Sequence, residues 1–249
     1  MALTDDRHAR HRSLPAFGSD AVDRLQNTRV LIVGLGGTGA AAAAALGAAG
    51  VDTLLLNDFD RIDASNLARQ SLYTPDDIGE KKTVAAARRI QQQNPALSIV
   101  QLGERLDADG LLELLQHVDI VLDCCDNFGS RFAINRAAYA TRTPLVSGAA
   151  IRWEGQVAVF RFDDAPSPCY QCLYQPEDES LEDCAGAGVM APLPPMIGQL
   201  MALEAIKCLT DTGTATRLLV CDAQAGAWQT LSIGKRDDCA VCGTQAASA

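Results

Sequence analysis

Four cysteines form two pairs with the spacing of metal ligands, Cys169-x-x-Cys172 and Cys239-x-x-Cys242. Thiolates from both pairs complete the tetrahedral sulfur shell of a structural zinc site, which leaves no coordination position open for a substrate. We therefore predict that Zn²⁺ holds the end of the chain against its middle and takes no part in catalysis. The alternative is two unrelated pairs, one of them redox-active, but the loop position of Cys169 after Pro168 disfavours it.

A glycine-rich segment follows the short apolar run 29–33 and opens an alanine-rich stretch. Its glycines are Gly34, Gly36, Gly37 and Gly39. Glycine lets the backbone approach a phosphate, and the amides at a helix N-terminus favour negative charge. Asp58 ends the next predicted strand, where it can accept hydrogen bonds from ribose hydroxyls. On these residues alone an NAD- or FAD-dependent oxidoreductase is favoured, and a glycine turn without a ligand is the lesser alternative.

A polar and cationic set after Asp58 favours phosphate chemistry over hydride transfer. The set consists of Ser65, Asn66, Arg69, Gln70 and Lys82. The guanidinium fork matches phosphate oxygens and a lysine supplies a point charge, whereas hydride transfer needs neither. No G-x-x-x-x-G-K-[ST] segment is present, so the chain is not a P-loop ATPase. The alternatives are a surface salt bridge for Arg69 and a solvated helix start for Lys82.

A further predicted strand leads into Asp123-Cys-Cys-Asp126-Asn127. Doubly wound folds bind ligands at the carboxyl ends of their strands, and a carboxylate beside a triphosphate is a natural ligand for Mg²⁺. We predict that a carboxylate of this segment holds magnesium. Asp126 or Asn127 could instead cap the helix that we predict from Ser130, and both roles are compatible.

These residues need a scaffold, and short apolar runs alternate with helical patterns through the first half of the chain. We predict strands over 29–33, 53–56, 99–102, 120–122 and 144–147, and helices ending near 49 and over 81–93, 111–116 and 130–141. Such alternation implies right-handed crossovers and a mostly parallel sheet. The predicted class is α/β, a Rossmann-like doubly wound fold.

The pattern changes after about residue 153. Here we predict strands over 156–161, 217–221 and 227–233 and one helix over 196–209, which extend the sheet with antiparallel strands. We divide the chain into an N-terminal arm (1–28), a nucleotide-binding region (29–165) and a last region (166–249) with a crossover loop and the zinc ligands. All three belong to one continuous globular domain in this interpretation.

The amino-acid composition disfavours several classes of partner and location. A net charge of −10 disfavours nucleic acid, because phosphate binding needs clustered Lys and Arg. The chain opens without a signal segment, and no apolar run approaches the roughly 20 residues of a membrane span. Nine cysteines in two CxxC pairs and five single positions are expected to be reduced or metal-bound, so we predict a cytoplasmic protein.

The joint set of motifs resembles the ThiF/MoeB/HesA family, the bacterial relatives of ubiquitin-activating enzymes. The motifs occur in the family's order and cover roughly residues 7–243: GLGGTG, NDFD, SNLARQ, G-x-x-K, LDCCDN, PLVSGAAIRWEGQ, the CxxC pairs and GQLMALEAIK. The branch that it resembles most serves molybdopterin biosynthesis. The set is far more specific than any one motif.

The resemblance implies a homodimer that binds ATP and Mg²⁺ and adenylates the C-terminal glycine of a small ubiquitin-like sulfur carrier ending in Gly-Gly. Pyrophosphate is released, and a separate sulfurtransferase then supplies sulfur for a thiocarboxylate in molybdopterin or thiamine biosynthesis. It also implies residue roles. Gly37 and Asp58 would hold the nucleotide, Asn66, Arg69 and Lys82 the phosphates, and Asp126 the magnesium, with Asn127 beside it.

Three features depart from the family pattern or differ between its branches. The N-terminal R-Y-x-R-Q arm reads Arg7-His8-Ala9-Arg10-His11, and the resemblance places Arg10 in the partner subunit's site. Ala68 replaces the usual glutamine before Arg69. Cys184 aligns with the cysteine that takes up the carrier or its sulfur in the thiamine branch, although neighbouring acidic residues would raise its pKa and blunt it.

Three other functions stay open on the sequence alone. A family member of this type could adenylate another carboxylate, such as a peptide C-terminus or an amino acid attached to tRNA. A nicotinamide oxidoreductase would share the glycine loop and leave the Asn-Arg-Lys set unexplained. A non-catalytic, zinc-bound scaffold is the least favoured, because every expected catalytic position is filled.

Overall fold

One eight-stranded sheet runs through the molecule. The computed structural model describes residues 7–164, 166–175, 187–213 and 215–243. The strands are β1 Arg29–Val33, β2 Thr53–Asn57, β3 Ser98–Leu102, β4 Ile120–Asp123, β5 Leu145–Ile151, β6 Glu154–Phe160, β7 Arg217–Asp222 and β8 Ala227–Leu231. Their spatial order is β3-β2-β1-β4-β5-β6-β7-β8, parallel through β5 and antiparallel beyond it. The predicted doubly wound sheet with an antiparallel extension is therefore confirmed.

Helices cover both faces of this sheet. In the described residues they are α1 Ala9–Arg12, α2 Gly18–Leu25, α3 Gly37–Ala49, α4 Lys82–Gln93, α5 Ala108–Leu115, α6 Phe128–Thr141, α7 Tyr170–Leu173 and α8 Leu193–Thr210. Two 3₁₀ turns lie between β2 and α4, at Ala64–Asn66 and Pro75–Asp77. Among the helices described, none has both the length and the apolar character needed to cross a membrane.

Two hydrophobic cores lie on opposite faces of the sheet because successive strand residues point in opposite directions. In β1, Val30 and Ile32 belong to the core beneath α3, α4 and α8, whereas Leu31 and Val33 belong to the core beneath α5 and α6. The same alternation divides β2 and β4. The parallel strands are thus apolar on both faces, which explains why their sequences read as continuous apolar runs.

Three helices start earlier than predicted. Helix α8 begins at Leu193 instead of 196, without a side-chain cap, and the other two begin early because a side chain caps the first turn. Helix α5 begins at Ala108 instead of 111, because the Asp107 carboxylate accepts a 2.8 Å hydrogen bond from Gly110 N. Helix α6 begins at Phe128 instead of 130, with Asn127 as its N-cap. The helices α1 and α7 have only four residues each, too few for apolar periodicity to identify them in a sequence.

The close packing of the turn from β1 to α3 predicts that two glycine substitutions differ in their effect on stability. A Cβ at Gly39 would lie 1.9 Å from the carbonyl oxygen of Gly34, whereas one at Gly36 would meet nothing closer than 3.8 Å. We expect Gly39→Ala to lower the free energy of unfolding by about 3 kcal/mol or more, because the Gly34 carbonyl cannot move aside without distorting the turn. Gly36→Ala should change it by less than about 1 kcal/mol. Urea unfolding checks both, and equal midpoints for the two variants would contradict the clash.

Candidate functional site

A cleft of about 1460 Å³ opens at the carboxyl ends of β1, β2 and β4, where the strand order turns from one side of β1 to the other. Most of the predicted ligand-contact residues line it. These are Gly34, Gly36, Gly37, Asp58, Ser65, Asn66, Arg69, Gln70, Lys82, Asp126 and Asn127. The lining does not include Gly39, which lies inside α3 and packs against the turn. Residues far apart in the sequence therefore share one wall.

The glycine turn fits between β2 and β4 only without a side chain. Gly34 has φ +91°, and a Cβ there would lie 2.8 Å from the carbonyl oxygen of Cys124. Its amide donates to Asn57 O at 2.8 Å. Helix α3 starts three residues later, so its first amides face the cleft. Amides in this position, with the positive end of the helix dipole, make an anion site.

The carboxylate of Asp58 holds the glycine turn in place. Its Oδ2 accepts a hydrogen bond from Leu35 N at 2.7 Å, and its Oδ1 accepts one from Asp60 N at 2.8 Å. The carbonyl of Leu35 in turn accepts a 2.9 Å bond from the buried hydroxyl of Tyr73. Burial raises the pKa of Asp58, and the charge of Lys82 opposes that rise. Each Asp58 oxygen keeps a lone pair, so the carboxylate can still accept from a ribose hydroxyl.

Lys82 is a buried member of the cleft wall. Its Nζ lies 2.8 Å from Asp60 Oδ2 and 3.8 Å from Asp58 Oδ2, and its side chain is only 8% exposed. The solvated helix start considered above is therefore wrong for this residue. One lysine faces two carboxylates here, and its three N–H donors leave capacity for a further anionic ligand.

The turn after β2 presents Asn66 and Arg69. It is a 3₁₀ turn closed by Asp63, whose Oδ1 accepts from Ser65 N at 2.8 Å, while Asn66 Oδ1 accepts from Asp63 N at 3.1 Å. Arg69 Nη1 donates to Ser65 O at 3.0 Å. The Nδ2 donors of Asn66 and the other guanidinium N–H groups of Arg69 are thus the groups that the turn can offer to a ligand. The proposed surface salt bridge of Arg69 does not form among the described residues.

Gln70 supplies a buried acceptor without a protein partner. The residue is 2% exposed and lines the cleft, and within the described ranges its Oε1 forms no hydrogen bond. Its Nε2 lies 3.8 Å from the position of a Cβ on Gly36, next to the glycine turn. Buried polar atoms are rarely left unpaired, so this oxygen indicates that a ligand donor belongs here.

The turn from β4 to α6 contains the predicted helix cap and leaves the neighbouring carboxylate exposed. Asn127 Oδ1 accepts from Ser130 N at 2.9 Å and caps α6, and its Nδ2 donates to Asp126 Oδ1 at 3.3 Å. Asp126 is exposed at the cleft mouth and forms no ion pair within the part of the chain that the structure describes. The carboxylate is therefore available to a divalent cation.

A buried ion pair beneath this turn was missed by the sequence analysis. Arg131 Nη1 lies 3.3 Å from Asp123 Oδ2 and donates to Ser147 Oγ at 2.9 Å, and Arg131 Nη2 donates to the carbonyls of Gly148 and Cys125. Ser147 Oγ also donates to Asp123 Oδ2 at 2.7 Å. In a sequence, an arginine in a helix is normally interpreted as a surface residue. The burial of Arg131 was indicated only by its position on the first turns of α6, eight residues after Asp123, the carboxylate that ends a buried strand.

Arg10 lies away from the cleft of its own chain. It is exposed on α1, and the ring of neighbouring His8 packs against Gly50, at the far end of α3. Helix α3 has 13 residues and is about 20 Å long, so the end that His8 contacts is about that far from the end that faces the cleft. Arg10 is not among the residues that line the cleft, so any role in a nucleotide site would have to be in a second subunit. Cys184 lies outside the described residues.

The four predicted zinc ligands meet in one cluster. Cys169 and Cys239 have their Sγ atoms 3.6 Å apart, Cys172 and Cys242 have theirs 3.2 Å apart, and all four lie within 4.8 Å of one another. Tetrahedral Zn–S bonds separate sulfur atoms by about 3.8 Å, so the cluster fits Zn²⁺. Tyr170, between the first two ligands, lines the cleft. The metal site therefore lies directly behind a cleft wall.

Fold and cleft together define an α/β protein with a nucleotide-type site at the switch point of its sheet. Residues 8–241 match the ThiF family, and the chain belongs to that family. It is 41% identical over 239 residues to a molybdopterin-synthase adenylyltransferase of Escherichia coli (strain K12), covering 95% of this chain and 96% of that protein.

Two further likenesses concern length and fold. The chain is 39% identical over 244 residues to an adenylyltransferase and sulfurtransferase of Caenorhabditis briggsae, of which it spans 60%. The crystal structure of E. coli MccB with ATP superposes with a TM-score of 0.84 at 20% identity, over 97% of this chain and 75% of that one. At that identity the superposition supports the fold alone.

The cluster of four cysteines predicts how much zinc the protein binds. We expect the purified protein to carry about one zinc per chain, and Cys242→Ser to lose it and to lower the free energy of unfolding by more than about 2 kcal/mol. Cys208→Ala changes a buried cysteine outside the cluster and should keep the metal. Elemental analysis and thermal unfolding check this. Wild-type protein purified without chelator and found free of zinc would contradict the assignment.

Proposed function

We propose that this chain is an adenylyltransferase that uses ATP and Mg²⁺ to activate the C-terminal glycine of a small ubiquitin-like sulfur carrier. The observation that carries the proposal is the cleft, in which an anion-binding turn, two cations and an exposed carboxylate meet in a ThiF-family chain. The near-complete alignment with a molybdopterin-synthase adenylyltransferase supports a role in molybdopterin biosynthesis, with thiamine biosynthesis as the alternative.

Phosphate binding follows from the donors on the cleft wall. The turn at Gly34–Gly37 and the start of α3 can hold phosphate oxygens by backbone amides. Arg69 adds a guanidinium fork, and Lys82 adds a charge already held in place by Asp60. Asp58 and the unpaired Oε1 of Gln70 supply acceptors for hydroxyl or amino donors of the nucleotide. The protein thus orients the triphosphate with few side-chain rearrangements.

Asp126 is the residue that would hold Mg²⁺. Bound magnesium would neutralise charge on the phosphoryl oxygens and on departing pyrophosphate. Asn127 fixes the neighbouring carboxylate through its Nδ2 while its Oδ1 caps α6, so the helix start and the metal ligand share one anchor.

The reaction requires positioning and cations more than covalent chemistry by the protein. A carboxylate oxygen of the carrier's terminal glycine attacks the α-phosphorus, the bond from that phosphorus to the bridging oxygen breaks, and pyrophosphate leaves. Sulfur delivered at the oxidation level of sulfide by a separate sulfurtransferase then attacks the acyl carbon, the bond from that carbon to the AMP oxygen breaks, and the thiocarboxylate and AMP result. Arg69 and Lys82 stabilise the charge that builds on phosphoryl oxygens, as in other phosphoryl transfers.

A second copy of the chain completes the proposed site. We propose a homodimer in the cytoplasm in which Arg10 of each subunit enters the cleft of the other. Support comes from the position of the arm, which packs near the far end of α3 and leaves Arg10 exposed. For the thiamine-type variant of the reaction, we propose that the Cys184 thiol attacks the acyl-adenylate and displaces AMP.

Pyrophosphate exchange into ATP tests the proposed function. With a carrier ending in Gly-Gly, we expect Arg69→Ala to lower exchange by on the order of 10²-fold, because one phosphate cation is lost. Arg136→Ala removes an exposed arginine from α6 outside the cleft and should leave exchange unchanged. A carrier without its terminal glycine should support none. Near-normal exchange by Arg69→Ala would remove this residue from the mechanism.

Mixed dimers test the role of Arg10. Arg10→Ala and Arg69→Ala should each be inactive, yet a heterodimer of the two contains one intact site if Arg10 acts in the partner's cleft. Random reassortment of equal amounts should therefore restore about a quarter of wild-type exchange. Arg10→Ala mixed with itself is the control. Activity that stays at the level of the separate variants would show that Arg10 does not act across the interface.

A further inference from the structure

One buried amide in α6 has a donor without an evident acceptor. Asn135 is 0% exposed, and its Nδ2 forms no hydrogen bond with any residue that the structure describes. The orientation of the amide is nevertheless fixed, because Tyr170 N donates to its Oδ1 at 2.8 Å and only the oxygen can accept. An unpaired buried N–H is energetically costly, so a partner is expected.

The zinc cluster is the neighbour on that side. Tyr170 directly follows Cys169, so the hydrogen bond that its backbone N–H donates holds the Asn135 amide one residue from this zinc ligand. The Nδ2 donors are not used by that bond, and they remain available to an acceptor of the cluster.

Charge explains why such a donor is needed. Four thiolates around Zn²⁺ carry a net charge of −2, and Cys169, Cys239 and Cys242 are buried. A buried charge is tolerated when hydrogen-bond donors face it. Arg236 N already donates to Cys172 Sγ at 3.4 Å. For Cys169 the nearby donor is the Asn135 amide, which is bound to the next residue of the chain.

We propose that Asn135 is a positioning residue of the metal site, whose Nδ2–H donates to the Cys169 thiolate when zinc is bound. This bond connects the zinc cluster to α6, the helix whose N-cap is Asn127 beside Asp126. Residues in this position around metal ligands orient the ligand and raise metal affinity. The inference rests on the metal site and does not depend on which reaction the cleft performs.

Zinc release distinguishes this role from general packing. Asn135→Asp keeps the acceptor for Tyr170 N, replaces the donor by a negative charge and leaves the volume unchanged. We expect it to lose zinc to a chelator at least about tenfold faster than wild type. Asn94→Asp is the matched control, because Asn94 is also buried and its Nδ2 donates to Gly47 O at 2.9 Å, away from the cysteines. Equal release by both variants would overturn the proposal.

A measurement on the wild-type chain covers the case in which Asn135 variants do not fold. With ¹¹³Cd in place of zinc, an N–H···S bond gives a scalar coupling between cadmium and the Asn135 side-chain amide proton. We expect that coupling in the NMR spectrum of the full-length protein. A complete assignment of the side-chain amides in which the Asn135 protons show no coupling to cadmium would refute the bond.

Discussion

The carboxylate of Asp58 is the constraint on which the geometry of the cleft depends. It receives the Leu35 amide from the β1–α3 turn, the Asp60 amide from its own turn and the charge of Lys82 from the start of α4. Three segments are thereby fixed around one buried group. Burial raises its pKa, and an uncompensated buried carboxylate would be costly, so Lys82 belongs as much to the architecture as to ligand binding.

Tyr73 extends this constraint to the segment that carries Asn66, Arg69 and Gln70. Its hydroxyl bonds to Leu35 O, so the Leu35 peptide is held by side chains at both its N–H and its C=O. Farther along the same segment, Asp77 accepts from Arg89 and Arg88 on α4 at 3.0 and 2.6 Å. The loop of polar residues between β2 and α4 is therefore anchored at several points, and its cations need little ordering when a nucleotide binds.

The sequence was sufficient to predict the sheet and most of the residues that line the cleft, because both predictions depend on local patterns. Apolar runs marked β1, β2 and β4, and polar residues at their ends had to meet at one edge of a parallel sheet. The sequence could not show that Lys82 is buried or that Arg131 pairs with Asp123. Nor could it show that the Oδ1 of Asn66 accepts a hydrogen bond from Asp63 N. Each of these depends on contacts between segments whose relative orientation no periodicity encodes. Recognition of the family supplied the proposed substrate, which the cleft geometry by itself does not name.

Charges in this molecule divide according to burial, and that division relates structure to mechanism. Arg131 and Asp123 are buried and satisfied by each other, by Ser147 and by carbonyls, so they rigidify the floor of the cleft and have no free charge to offer a ligand. Arg69 and Asp126 lie at the cleft surface without ion-pair partners among the described residues. A phosphate or a metal ion can therefore engage them without first breaking a protein pair. Lys82 is intermediate, since it balances two carboxylates and retains one donor direction. A site built in this way responds to a polyanion with its metal ion more strongly than to a neutral ring, which favours adenylyl transfer over the hydride transfer that a glycine loop alone would suggest.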